Sequence, residues 1–285
     1  DVYKRQEQLS PLSSRPTYTE TENDLTVKAN KRTFIFSKKD GQLKGVSVDN
    51  RKINFANGPR FIGARRADRS LDQFYNHDDE KAKEKDRTYS EFPDAAVFTK
   101  LDVKEDGGNL VVTANYKLGN LDKAQWTINP SGDLALDYTY NFSGVVDLMG
   151  IRFDYPEDQV ISKRWLGAGP YRVWQNRIHG TQYDVWENDY NDPIPGETFT
   201  YPEFKGYFGD VSWMNIQTKE GTISLTNETP DTYIGVYQPR DGRDRLLYTL
   251  PESGISVLNV IPPVRNKVNS TDLCGPSSQP KWVNG

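Results

Sequence analysis

Residues 124–142 read Ala-Gln-Trp-Thr-Ile-Asn-Pro-Ser-Gly-Asp-Leu-Ala-Leu-Asp-Tyr-Thr-Tyr-Asn-Phe. Apolar side chains fall on alternate positions, at Ala124, Trp126 and Ile128 and again at Leu134, Leu136, Tyr138, Tyr140 and Phe142. Successive side chains of a strand point to opposite faces, so this period predicts two strands, each with one apolar and one wet face. Asn129-Pro130-Ser131-Gly132-Asp133 lies between them and is rich in the residues that make turns.

The same pattern extends in both directions. Leu110, Val112, Ala114 and Tyr116 alternate with polar neighbours, and Asp40-Gly41 and Asp106-Gly107-Gly108-Asn109 are further turn signals. Additional strands are predicted near 33–37, 43–48, 97–103, 148–154, 211–217, 222–226, 233–237, 245–250 and 255–261. Such regular spacing of strands and turns predicts an all-β fold of large antiparallel sheets. Helix is scarce. Its best candidate, Asp78 to Arg87, has almost no apolar face, and the charge-balanced stretch 65–87 reads as a solvated loop or helix. No break in composition divides 25–285, which predicts one domain.

The chain begins at Asp1 without a methionine. Asp-Val-Tyr-Lys-Arg-Gln, residues 1–6, reads as translated sequencing-adapter sequence at a contig end. Residues 1–24 are therefore expected to be that artefact plus a polar tail or linker.

Composition excludes several functions. No stretch approaches the ~18 apolar residues of a membrane-spanning helix, so no membrane partner is expected. A net charge of −4 offers no basic footprint for nucleic acid. One cysteine, Cys274, and two histidines, His77 and His179, argue against a disulfide framework and against a metal site, and no cofactor is expected. Glycines 167 and 169 lack the lysine of a phosphate-binding loop, and no Gly-x-Ser-x-Gly elbow occurs.

The segment 164–213 is densest in residues that could carry function. It interleaves Trp, Tyr, Arg, Asn and Glu with Gly and Pro, from Arg164-Trp165-Leu166-Gly167-Ala168-Gly169-Pro170 to Arg177 and on through Tyr201-Pro202-Glu203-Phe204-Lys205-Gly206-Tyr207. Aromatic rings can cover the C–H face of a sugar while amides, guanidinium and carboxylate meet its hydroxyls. Arg172, Trp174, Asn176, Arg177, His179, Tyr201 and Glu203 are the expected carbohydrate-binding residues, and Trp165 and Trp213 are expected to fill the core. Glu187, Asp189, Asp192, Glu197 and Glu203 cluster in sequence, but with 40 acidic residues in the chain such a cluster does not define the carboxylate pair of a glycosidase. No catalytic residue is assigned.

At Trp165-Leu166-Gly167-Ala168-Gly169-Pro170 the chain resembles the C-terminal small-chain domain of β-galactosidases of glycoside hydrolase family 2. Val173-Trp174-Gln175-Asn176-Arg177 and Tyr201-Pro202-Glu203-Phe204-Lys205-Gly206 are similar to the two motifs that follow in that family. Upstream, Phe34-Ile35-Phe36-Ser37-Lys38-Lys39-Asp40-Gly41-Gln42-Leu43, Gly58-Pro59 and Arg66-Ala67-Asp68 keep the family order. Ile261-Pro262-Pro263 and Gly275-Pro276-Ser277-Ser278-Gln279 resemble the closing strands of Bacteroidetes-type members.

This resemblance implies a galactose-mutarotase-like supersandwich with a carbohydrate-facing groove. It also implies that the catalytic glutamates lie on a separate (β/α)8 barrel, which this chain has no room to contain. The expected partners are therefore that barrel and a carbohydrate. Many β-galactosidases carry Glu or His-Glu after the Gly-Pro, where this chain has Tyr171-Arg172, so the sugar stays open: a galactoside or another plant or algal glycan. A role in polysaccharide degradation and a periplasmic or secreted location follow from the resemblance alone. The alternatives are a stand-alone aldose 1-epimerase, with His179 and Glu203 as acid and base, and a carbohydrate-binding module without a reaction.

Overall fold

The computed structural model describes residues 14–66, 89–190, 206–237, 254–263 and 275–285. Among them the fold is all-β, every strand pairing given by register is antiparallel, and the only helical turns are short 3-10 pieces at Glu157–Gln159 and Pro276–Ser278. The charged stretch at 67–88, with His77, and the strand expected near 245–250 lie outside the described residues.

The chain divides into two compact units, a division that composition did not mark. The first holds residues 1–59 and 95–141. Its strands are β1 (Thr17–Glu20), β2 (Asp24–Ala29), β3 (Arg32–Ser37), β4 (Leu43–Val48), β5 (Arg51–Ile53) and the start of β6 (Ala56–Arg66). After β7 (Tyr89–Glu91), which belongs to the second unit, it resumes with β8 (Val97–Asp106), β9 (Asn109–Lys117), β10 (Leu121–Ile128) and β11 (Leu134–Tyr140).

One sheet of the first unit runs β1-β2-β3-β4, with β5 beside β4, and the other runs β11-β10-β9-β8. Phe36 and Trp126 meet between the two layers with ring centroids 5.9 Å apart, and both are buried. The alternation at 124–142 is realised as a register: Trp126 pairs Leu136 and Ile128 pairs Leu134. Gly132 in the connecting turn has φ +83, a left-handed conformation open to glycine. Within the stretch 1–24, expected to be an artefact plus a polar tail or linker, residues 17–20 form a strand. Each of Thr17–Glu20 is exposed, yet the backbone adds β1 as an edge strand to β2. Edge strands can be polar on both faces because backbone bonds, not burial, hold them.

The second unit holds residues 60–94 and 142–285. Its strands are the remainder of β6, then β7, β12 (Ser143–Val146), β13 (Leu148–Asp154), β14 (Val160–Gly169), β15 (Gln182–Asp189), β16 (Trp213–Thr218), β17 (Gly221–Thr226), β18 (Tyr233–Val236), β19 (Ile255–Val260) and β20 (Lys281–Asn284). They form the series β6-β13-β19-β18, a four-stranded sheet β15-β14-β16-β17 and a β12-β20 ribbon. The ribbon fastens the C-terminal strand against Ser143–Val146. A core of Ile62, Ala64, Leu148, Val173, Trp174, Tyr207, Leu258 and Ile261 joins strand residues to the connections between strands.

Candidate functional site

The Trp-Leu-Gly-Ala-Gly-Pro stretch is the end of β14. Trp165 is fully buried, packs edge-on against Phe208 at 4.8 Å and donates its indole N–H to the Ala168 carbonyl at 3.0 Å. The glycines follow from what lies against them. A Cβ on Gly169 would sit 2.4 Å from the Trp186 ring of β15, so only a bare backbone lets that indole lie there. Trp213, expected in the core, is only partly buried, whereas its neighbour Met214 is fully enclosed.

Past Gly169 the chain enters a loop, residues 170–180, fastened at several points. Val173 and Tyr207 exchange two backbone hydrogen bonds of 2.8 Å, and Phe208 does the same with Ile234 of β18 at 2.9 Å. Residues 206–208 thus attach the loop to β18. Trp174 and Arg177 close a tight turn, with the Arg177 N–H donating to the Trp174 carbonyl at 2.9 Å.

Gln175 pins this turn to two other segments. Its backbone N–H donates to the Pro262 carbonyl at 3.1 Å, and its side-chain amide donates to the carbonyls of Ser277 and Gln279 at 3.0 and 2.7 Å. Asn176 adds a bond from its amide to the Ser278 hydroxyl at 2.9 Å. Three stretches that carried the family resemblance therefore meet at Gln175 and Asn176: the Gly-x-Gly-Pro loop, Pro262 and residues 277–279.

The sequence-derived residues separate into three groups. Arg172 and Trp174 are each 1% exposed, so their side chains are internal and not a sugar platform. Trp174 packs edge-on to Tyr207 at 5.7 Å, as the apolar bulk of an indole favours. Arg172 lies over Phe208 at 4.8 Å and donates to the Tyr237 carbonyl at 3.1 Å. Asn176 and Arg177 are half-buried and His179 is exposed, so these three remain at the surface of the loop. Tyr201 and Glu203, together with Asp192, Glu197 and Cys274, lie outside the described residues. Glu187 is exposed on β15, 4.0 Å from the Arg164 guanidinium, and Asp189 is exposed at the end of that strand.

A second buried cation accompanies Arg172. Lys163 of β14 is 0% exposed, and its ammonium donates to the carbonyls of Asp189 and Tyr190 at 3.0 and 2.5 Å. It also stands 5.8 Å from the centroid of the Phe208 ring. A buried ammonium needs such acceptors, since desolvation without them is costly. Lys163 and Arg172 thus flank one aromatic ring and tie the ends of two connecting segments to β14 and the loop. Gln175 and Lys163 were not singled out in the sequence. The available signal for Lys163 was its spacing of two and four from Trp165 and Gly167, which puts it on their side of the strand.

Among the described residues no group of three or more His, Cys, Asp or Glu is placed to hold a metal ion. What the loop offers chemically is hydrogen bonding and a cation on a rigid frame: the Asn176 amide, the Arg177 guanidinium and the His179 imidazole.

Comparison with family models gives a match to the family described as β-galactosidase small chain over residues 28–260, a span that includes strands of both units. Comparison with curated proteins finds no match.

Proposed function

The chain belongs to the β-galactosidase small-chain family, and from that premise we propose that it is the non-catalytic, carbohydrate-facing C-terminal domain of a family 2 glycoside hydrolase. In this reading it shapes the sugar site of a (β/α)8 barrel that carries the catalytic glutamates. Asn176, Arg177 and His179 contact the glycan, together with Tyr201 and Glu203, and the glycan is a galactoside or another plant or algal polysaccharide. Arg172 and Trp174 serve it from inside, by holding the loop in shape. The assembly acts in the periplasm or outside the cell.

The observation that carries this reading is the pinned loop. Gln175 and Asn176 fix residues 174–177 to Ser277, Ser278 and Gln279, about a hundred positions away in sequence. A rim that must meet a substrate held by another domain benefits from such rigidity, because a contact misplaced by ~1 Å loses much of its value.

The test is kinetic. In the parent enzyme, Arg177→Ala combined with His179→Ala should raise KM for an aryl β-galactoside or glycan fragment about tenfold, with kcat changed far less. The isolated 285-residue chain should release no aglycone. Turnover by the isolated chain, or a parent enzyme indifferent to both substitutions, would overturn the proposal.

A further inference from the structure

The second unit also contains a depression of about 350 Å³ lined by Arg152, Asp154, Tyr155, Pro156, Tyr237 and Gly254, none of which belongs to the 170–180 loop. This volume is at the small end of ligand cavities and is enough for one sugar ring.

Its walls are braced from several directions. The Tyr155 hydroxyl donates to the Glu220 carboxylate at 2.8 Å. The Tyr190 hydroxyl donates to the Glu157 carboxylate and so holds the turn that follows Pro156. Tyr237 is fixed at both backbone atoms: its N–H donates to the Gly254 carbonyl at 3.0 Å, and its carbonyl accepts from Arg172 at 3.1 Å. Its ring meets Tyr190 edge-on at 6.4 Å.

Tyr237 has φ +39, a left-handed conformation that is a real outlier for a bulky side chain. Such strain persists only where the surroundings hold it, and it collects at ligand sites. Here the bonds to Gly254 and Arg172 hold it at the wall of the depression.

The lining chemistry suits a polyol. Asp154 is ion-paired with Arg60 yet keeps 48% of its side chain open to solvent. A carboxylate accepts from neighbouring hydroxyls, a guanidinium such as Arg152 donates to ring and hydroxyl oxygens, and tyrosine rings cover C–H surface. We infer that this depression is a second carbohydrate subsite, taking a single pyranose unit through Asp154, Arg152 and Tyr237. It does not depend on the role assigned to the 170–180 loop.

Ligand-observed saturation-transfer NMR on the 285-residue chain, with D-galactose, D-glucose, D-mannose and D-xylose as probes, tests it. At least one sugar should bind saturably. Asp154→Asn should weaken that binding about tenfold or more, while Lys100→Ala, at an exposed position of β8 in the first unit, leaves it unchanged. If Asp154→Asn does not fold, Arg152→Gln replaces it with the same expectation. Saturable binding by none of the four sugars, or undiminished binding in the folded variant, overturns the subsite. Binding lost in Asn176→Ala but kept in Asp154→Asn also overturns it, and shifts the sugar to the loop.

Discussion

Val173 and Gly206 pack backbone against backbone so closely that a Cβ on Gly206 would lie 2.0 Å from the Val173 carbonyl oxygen. The next residue, Tyr207, is bonded to Val173 in both directions. A backbone oxygen cannot rotate away as a side chain can, so Gly206→Ala must break this pairing. Overpacking of this kind costs ~1–3 kcal/mol. Urea unfolding should show a loss at the upper end of that range. A change within ~0.5 kcal/mol, typical of an ordinary surface substitution, would mean that the loop is not seated here.

Trp174 supplies a second test, because it distinguishes a core residue from a sugar platform. At 1% exposure its removal leaves a cavity, and Trp174→Ala should cost ~3–5 kcal/mol. Trp174→Phe should recover part of that stability and leave glycan affinity unchanged. An unaltered unfolding midpoint with lost glycan binding would restore the reading that the sequence suggested.

The contrast between Trp126 and Trp174 explains what could be read in advance. Trp126 sits in an uninterrupted alternation, and its pairing with Leu136 follows from the period and the turn between them. The all-β character and the hairpins around it were legible for that reason. β14 was not, because its enclosed positions include Lys163, Gly167 and Gly169 beside Trp165. A lysine satisfied by two carbonyls, a glycine required by a neighbouring ring and another closely approached by backbone carry no hydrophobic signature. The Gly-x-Gly-Pro loop was identified as important by its composition. Which side chains turn inward was not, because burial of Arg172 and Trp174 depends on Phe208 and Tyr207, more than thirty residues further along the chain. The role of Gln175 was invisible for the same reason, since its partners are at 277 and 279.

Gln175→Ala removes both side-chain bonds to the C-terminal turn and exposes or orphans two carbonyls. Losses of this type cost ~1–3 kcal/mol. The effect should be local as well as global: hydrogen exchange at 275–279 should accelerate relative to β10 in the first unit. Equal protection in variant and parent would show that the C-terminal turn is held by the β12-β20 ribbon alone.

Lys163→Met keeps the length and apolar stem of the side chain, so its packing against Phe208 is retained. What disappears is the donor to the carbonyls of Asp189 and Tyr190. Each orphaned acceptor costs ~1–3 kcal/mol, so the variant should melt well below the parent in spite of its greater hydrophobicity. A raised melting temperature would instead identify Lys163 as a buried charge that is merely tolerated.

Tyrosine ionisation is expected to weaken the fold at alkaline pH. Burial, reinforced by the Glu220 and Asp158 carboxylates, pushes Tyr155 up to about 12 from its ordinary value of 10.0. Burial also raises Tyr138, Tyr140 and Tyr233. A phenol with its folded pKa above the unfolded one keeps its proton in the folded chain and loses it on unfolding. Between those two values the unfolded state binds fewer protons, so stability must fall as pH rises. The contribution of Tyr155 is complete below pH ~10 and is lost as pH climbs through about 12. Tyr155→Phe removes the ionisation along with the bond to Glu220. It should be less stable than the parent at pH 8, yet lose stability less steeply between pH ~10 and 12, with Tyr138, Tyr140 and Tyr233 contributing to the slope that remains. Parallel stability curves for parent and variant across that window would show that Tyr155 ionises as freely folded as unfolded, and that it does not lie in the enclosed setting beside the 350 Å³ depression.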